Sequence, residues 1–415
     1  MIIVDKQRYT RDDLNRRCEL LAQTEGLQQP EGRVFAIAVR DAFAVLAIVL
    51  YLRDHGGSVL LMHGETPHDA AEAKAQLAGC TALITDDGLD VQLLGEGIRV
   101  EEASLFQFSS GTTGDPKLIA RSWEEVAQEI DGYNAVIPAS NDEVPIILVP
   151  VSHSYGLIAG TMTALARGVE PIIVQDKNPK FALQIIKSNP RHIVYGVPFL
   201  YHILSSLGKD VRFHKLLSSG SPMTETLLQT LRDRSEAVLQ QYGCTEAGCL
   251  AIGERITAAS HAGRPLAHVE ITAGTKEDPQ EVVAVFKHLP KRVHTQDLGY
   301  FTEEGQLHVL GRLDDLINVS GLKVIPSEVE SVLTKYPGVR EVVVYKGKHP
   351  VWGETVKALI VPDAEVSPPD VKAWCIRHLS PHQVPSAIGI VEEIPKTPTG
   401  KVSRKLLHEL ELTQS

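Results

Sequence analysis

The stretch FQFSSGTTGDPKLIARS, residues 106 to 122, decides how the rest of the chain is read. A short apolar run, Leu105 to Phe108, stands in front of four hydroxyl residues, Ser109, Ser110, Thr112 and Thr113, set around Gly111 and Gly114. Lys117 follows three residues after the second glycine. Hydroxyls and successive backbone N–H groups can wrap phosphate oxygens, and glycines let the backbone come close. Lysine adds a compact positive charge. The two glycines are too close together for a Walker loop, and Lys117 follows Pro116 instead of glycine, so a P-loop NTPase loses its main support. Taken alone, the segment also fits a Ser/Thr/Gly surface turn.

Upstream, Thr10 followed by Asp13 forms a capping-box pattern, and Leu14, Cys18 and Leu21 repeat at helical spacing until Gly26. Short apolar runs alternate with helical patterns at 34–39, 58–62 and 81–85, and again at 144–150, 170–175, 192–198 and 214–222. That alternation predicts βαβ units, so residues 1 to about 250 read as layered α/β with parallel strands. After Gly311 the style changes. Ser327 is placed to cap a helix through about Tyr336, Val339 to Tyr345 and Thr355 to Val361 read as strands, Asp370 to Leu379 as a helix, and 388–395 as a further strand. The order αββαβ describes a small, separate α+β domain, with GRLDDLINVSG (311–321) as a mobile, solvated joint.

A chain of 415 residues, 43% hydrophobic and 22% charged, can bury a large core divided between domains. Its formal net charge of -11 argues against nucleic acid or an anionic membrane as partner, while leaving local amides and a metal ion able to hold one nucleotide. Five scattered cysteines without a C-x-x-C pair fit a reducing cytosol better than a disulfide framework or zinc site. The start, MIIVDKQRYT, shows no signal-peptide pattern, and Ala42 to Leu52 is too short to span a bilayer, so a buried helix is expected there.

SSGTTGDPK (109–117) resembles the phosphate loop of the acyl-adenylate-forming enzymes, the superfamily of acyl- and aryl-CoA synthetases, nonribosomal peptide adenylation domains and luciferases. Three further segments resemble that superfamily in the same order: QQYGCTEAG (240–248), TQDLGYF (295–301) with GRLDDLINVSGLKVIPSEVE (311–330), and PKTPTGKVSRKLL (395–407). RYTRDDLNRRCELLAQ is similar to its opening helix, so the resemblance covers nearly the whole chain. It implies a large layered α/β domain, residues 1–312, and a small mobile α+β domain, 313–415, that carries a catalytic lysine. It implies a reaction in two halves: a carboxylate attacks the α-phosphate of ATP and expels pyrophosphate, then a thiol attacks the acyl-adenylate and expels AMP.

The same resemblance assigns roles. Ser109, Ser110, Gly111, Thr112, Thr113, Gly114 and Lys117 form the ATP phosphate loop, and Gly220 and Ser221 pass between adenine and acyl group. Gln241, Tyr242 and Gly243 line the nucleotide, with Tyr242 offering a flat face to adenine. Thr245 contacts the α-phosphate and Glu246 holds magnesium. Asp297 accepts from the ribose hydroxyls, supported by Arg312. Lys401 bridges carboxylate and α-phosphate in the first half-reaction, and Asp314 is the hinge. Each of these residues also has a bland reading, such as a surface ion pair, a core tyrosine or a solvated basic tail, and the shared context argues against it.

PVSHSYGL (150–157) falls where the superfamily lines its acid pocket, which points to His153 and Tyr155. No aspartate stands there to pair with a substrate ammonium, so an aryl or aliphatic acid is expected over an amino acid, and Tyr155 favours aryl. Few residues follow Lys401, so the thiol is expected from free coenzyme A or from the phosphopantetheine of a separate acyl carrier protein. Two departures stand out: the segment between the opening βα units and the phosphate loop is short, and 269–293 is abbreviated. The competing readings are acyl transfer to an amine and an inactive nucleotide-binding relative.

Overall fold

The computed structural model describes residues 1–109, 117–349 and 353–395, together with Arg404 and Leu407. The alternating apolar runs of the first half form the parallel cores of two sheets. In a six-stranded sheet, Ala82–Thr85, Val34–Ile37, Ser58–Leu61 and Ser104–Ser109 run parallel, with Asp90–Leu93 and Lys117–Ser122 as antiparallel edges. In a thirteen-stranded sheet, Ile2–Val4, Ile172–Ile173, Val144–Ile147, His192–Gly196, Phe213–Ser218 and Ser235–Cys244 run parallel. The sheet continues antiparallel through Gly248–Gly253, His261–Pro265, Leu307–Arg312 and Arg292–Phe301 to Gln280–Phe286 and Val269–Thr272, and Gln7–Tyr9 lies antiparallel at the opposite edge. The abbreviated stretch 269–293 thus closes as a simple hairpin extension.

The strand runs lack polar alternation because both faces are covered. One continuous core lies between the sheets and joins Phe35, Ile37 and Val59 of the first to Ile147, Tyr195 and Leu217 of the second. Helix Ala42–Asp54 sits in this layer and is buried nearly all round, as its run of apolar residues requires. Each fully buried Val, Leu or Ile contributes roughly 1.5–3 kcal/mol, so this helix anchors the layer. Among the described residues no helix is long and apolar enough to cross a membrane. Helices Pro179–Ser188, Pro198–Leu207 and Glu225–Arg232 cover the far face of the long sheet, and His68–Leu77 covers that of the shorter one. The helix Arg11–Gln23 begins with the expected capping box between Thr10 and Asp13.

The carboxy-terminal part has its own core. Leu322–Val324, Ile317–Val319, Gly353–Pro362, Val339–His349 and Ala387–Ile390 make a five-stranded sheet, against which Pro326–Leu333 and Pro368–His378 pack. Two local expectations are corrected. Ser327 is not the helix cap: Pro326 opens the helix with its preset φ, and Ser327 Oγ donates instead to the Leu310 carbonyl at 2.5 Å. The stretch 311–321 is not a loose joint throughout, because Ile317 is fully buried in a strand and Ser320 and Gly321 form a tight turn, at φ 51° and 90°. Asn318 Oδ1 closes that turn by accepting from the Gly321 N–H at 2.8 Å. The connection between the two cores therefore shrinks to the residues around Asp314.

Candidate active site

Crevices at the carboxyl ends of parallel strands are where open α/β sheets bind ligands. Ser109 ends one such strand, His153 and Tyr155 follow another, Gly220 and Ser221 follow a third, and Tyr242 to Glu246 end the fourth. Ser109 is buried and pairs in register with exposed Lys117, so the two ends of the 106–122 loop are held side by side. Ser110, Gly111, Thr112, Thr113 and Gly114 lie outside the described residues, as does Lys401.

The strands Ser235–Cys244 and Gly248–Gly253 form a hairpin, with Cys244 opposite Gly248 and the residues Thr245, Glu246 and Ala247 as its tip. Thr245 and Glu246 are half-buried there. Burial and the neighbouring Glu246 carboxylate push the Cys244 thiol up to about 12, so it stays neutral at physiological pH. A single half-buried carboxylate suits a magnesium ion that takes most of its ligands from phosphate and water. Among the described residues no group of three His, Cys, Asp or Glu is arranged to hold a metal by itself.

Tyr242 reaches across to the neighbouring part of the sheet, where its hydroxyl donates to Asp297 Oδ2 at 2.7 Å. Asp297 stands opposite Arg312 in the ladder, and Arg312 Nη1 lies 3.5 Å from Asp297 Oδ1 and donates to the Thr295 carbonyl at 2.9 Å. Burial raises the Asp297 carboxyl above the ordinary carboxylate range, against the opposing pull of Tyr242 and Arg312. Gln296, just before it, holds φ of 60°, an uncommon conformation for a residue with a side chain. Arg312 Nε also faces Asp314 Oδ1 at 3.3 Å, so the ribose candidate and the hinge candidate share one guanidinium.

Gly220 is exposed at φ 85°, a conformation that favours glycine, and Ser221 beside it is half-buried. Gln241 is turned the other way: it is 8% exposed, and its Oε1 accepts from the Tyr133 hydroxyl in the layer between the sheets. Its side chain is therefore a scaffold element, in contrast to the nucleotide contact expected of it. Tyr155 begins the π-helix Tyr155–Met162, and its hydroxyl donates to the Leu217 carbonyl at 2.6 Å and the Gly196 carbonyl at 3.2 Å. Its ring forms a fixed wall at two strand ends, and π-helical turns recur at functional sites. His153 is exposed.

Sequence reasoning missed three features. The Ser154 hydroxyl donates to Gln107 Oε1, tying the pocket segment to the strand that leads into the 106–122 loop. Arg121 and Glu129 make an ion pair beneath the 244–248 turn, at 1% and 2% side-chain exposure. Arg404 binds Asp315 Oδ2 at 2.9 Å and Glu330 Oε1 at 2.7 Å. Arg121 gave a signal, a charge inside an otherwise half-apolar strand, but its partner is known only from the tertiary packing.

Comparison with known proteins adds the deciding observation. The AMP-binding enzyme family matches residues 47–282, and the AMP-binding enzyme C-terminal domain matches 328–401. The chain belongs to the AMP-binding enzyme family. It is 44% identical over 415 residues, all of both chains, to a 3,4-dihydroxybenzoate–[aryl-carrier protein] ligase of Bacillus anthracis. ATP-bound MatB from Rhodopseudomonas palustris shares its fold with a TM-score of 0.86 at 20% identity, over 99% of this chain and 95% of that one. The o-succinylbenzoate coenzyme A synthetase MenE of Bacillus subtilis, solved with ATP and magnesium, does so with a TM-score of 0.83 at 21% identity, over 98% and 96%. As an AMP-binding enzyme the chain is an AMP-forming acid–thiol ligase: it activates a carboxylic acid with ATP and passes the acyl group to a thiol.

Proposed function

We propose that the acid is a 3,4-dihydroxybenzoate and that the acceptor is the phosphopantetheine thiol of a separate aryl-carrier protein. The observation that carries this reading is the 44% identity over the full length of both chains to a ligase of that specificity. The Ser154–Gln107 pair at the pocket supports it. Once the serine donates to Gln107, its oxygen can still accept and the glutamine amide can still donate, which suits a hydroxylated ring. The Tyr155 wall, fixed by two backbone carbonyls, suits a short planar acid over a long chain.

Within that reaction the residues divide the work. Asp297 accepts from the ribose hydroxyls while Tyr242 and Arg312 hold its carboxylate in place. Thr245 donates to the α-phosphate, and Glu246 would hold magnesium, which neutralises charge on the phosphate oxygens. The phosphate loop from Ser109 to Lys117 cradles the leaving pyrophosphate. Lys401 offsets the negative oxygens that crowd together as the carboxylate attacks the α-phosphorus. The small domain then turns about Asp314, and the thiol sulfur attacks the acyl carbon while AMP departs.

The test is pyrophosphate exchange into ATP with a panel of acids, followed by product analysis with coenzyme A, an aryl-carrier protein and simple amines. The reading expects 3,4-dihydroxybenzoate to give the highest kcat/KM and the carrier protein to be loaded in preference to coenzyme A. Preference for a fatty acid, or acyl transfer to amines alone, would overturn it.

A further inference from the structure

The hairpin that carries Thr245 and Glu246 is irregular at its base. Tyr242 pairs with Ala251, but the next residue, Gly243, pairs with Cys249, so Leu250 is an extra residue in the second strand. A bulge of this kind leaves ladder groups in need of partners and re-aims the side chains beside it. Here the Cys249 N–H is taken by a side chain: it donates to Glu129 Oε1 at 2.8 Å, from the helix Trp123–Val136. The other carboxylate oxygen of Glu129 receives the Arg121 guanidinium. Both side chains are almost wholly buried. Gly248 holds φ of 73°, and a Cβ there would stand 2.3 Å from Glu129 Oε2 and 2.5 Å from Arg121 Nη1. The ion pair therefore lies against the backbone that opens into the turn.

Its connections run to both sides of the candidate site. Tyr242, on the near side of the bulge, binds Asp297, and Thr245 and Glu246 lie on the far side. Arg121 belongs to the strand Lys117–Ser122, which starts at the lysine of the phosphate loop. We propose that Glu129, paired with Arg121, is a positioning residue that fixes the bulge and so aims the Thr245–Glu246 turn at the nucleotide. This rests on the reading of Glu246 as the magnesium carboxylate. Glu129 does not touch substrate; it acts through the Cys249 amide.

Removing one member of a buried pair strands the other charge, so the test uses double variants. Arg121→Leu/Glu129→Gln keeps an acceptor for the Cys249 N–H, whereas Arg121→Leu/Glu129→Leu removes it. The readout is the Mg2+ concentration giving half-maximal acid-dependent pyrophosphate exchange at fixed ATP. The Gln double is expected to stay within about twofold of the parent. The Leu double is expected to need about tenfold more Mg2+, the scale of leaving one buried N–H without an acceptor, with the KM for the acid little changed. Equal behaviour of the two doubles would reduce Glu129 to packing and overturn the proposal. Should the doubles not fold, Glu129→Asp keeps the charge but withdraws the acceptor, and an unchanged Mg2+ requirement there would overturn it equally. Glu246→Gln is the control. If it leaves the Mg2+ requirement unaltered, the reading of Glu246 fails and this proposal with it; if it raises the requirement while the doubles agree, the proposal fails alone.

Discussion

The Tyr242 hydroxyl donates to Asp297 Oδ2 at 2.7 Å from a strand four positions away in the sheet, and this contact opposes the effect of burial on the same carboxyl. Because the folded-state pKa of Asp297 is raised, the group is protonated at pH values where an ordinary aspartate is ionised. Only the ionised form accepts from both ribose hydroxyls. ATP binding should therefore weaken as pH falls through the raised pKa. Tyr242→Phe removes a donor that favours the ionised form, so the acidic limb of kcat/KM for ATP should move to higher pH. Asp297→Asn should abolish that limb and lower kcat/KM throughout. A pH profile for Tyr242→Phe identical to the parent would contradict the coupling. For stability the sign is opposite: a raised carboxylate pKa contributes stability at low pH that is lost as pH rises from the unfolded value through the folded one.

Gly248 is expected to tolerate no side chain. Gly248→Ala combines a positive φ with a Cβ set against Glu129 and Arg121, neither of which can retreat from a buried pair. Strained backbone and overpacking together should destabilise by roughly 2–6 kcal/mol. Urea unfolding followed by tryptophan fluorescence would measure this, and a loss below about 1 kcal/mol would show that the hairpin adjusts freely.

Much of this was legible in the sequence, for physical reasons. The parallel strands could be read because burial on both faces demands uninterrupted apolar runs such as 34–37 and 193–195, and Thr10 with Asp13 marked a helix start through local hydrogen bonds alone. Ile317–Val319 was missed because three residues carry too little periodicity, and only its burial in the small core makes it a strand. The direction of the Gln241 side chain is known only from its partner, the Tyr133 hydroxyl of a separate helix, which no local pattern encodes. Arg121 with Glu129, Ser154 with Gln107 and Arg404 with Asp315 are each pairs between separate elements, so a single chain reading shows the residues but not the partnership.

The Ser154–Gln107 pair gives a prediction about the acid. Gln107→Leu removes the amide but keeps the volume, and so should raise KM for 3,4-dihydroxybenzoate by about tenfold while leaving unsubstituted benzoate nearly unaffected. Steady-state kinetics with both acids would decide it. An equal loss on both would mean that the pair only braces the pocket wall.

The carboxy-terminal segment should separate the two half-reactions. Arg404 is locked by Asp315, by Glu330 and by the Val344 carbonyl at 2.9 Å, and Asp315 directly follows the proposed hinge Asp314. Only Val402 and Ser403 separate Lys401 from Arg404 in the chain, so fixing one limits where the other can reach. Lys401→Ala should lower pyrophosphate exchange by about a hundredfold or more, because its proposed role is to face the transition state with a positive charge. Thioester formation from a supplied acyl-adenylate should remain within a few-fold of the parent, since that proposed role belongs to the first step. Arg404→Gln should show the same bias to a lesser degree, about tenfold on exchange, because it loosens the lysine without removing it. Rapid-quench measurement of each half-reaction separates these outcomes. Equal loss in both halves for Arg404→Gln would point to general unfolding of the small domain, whereas selective loss in the first half ties the Asp315 latch to the delivery of Lys401.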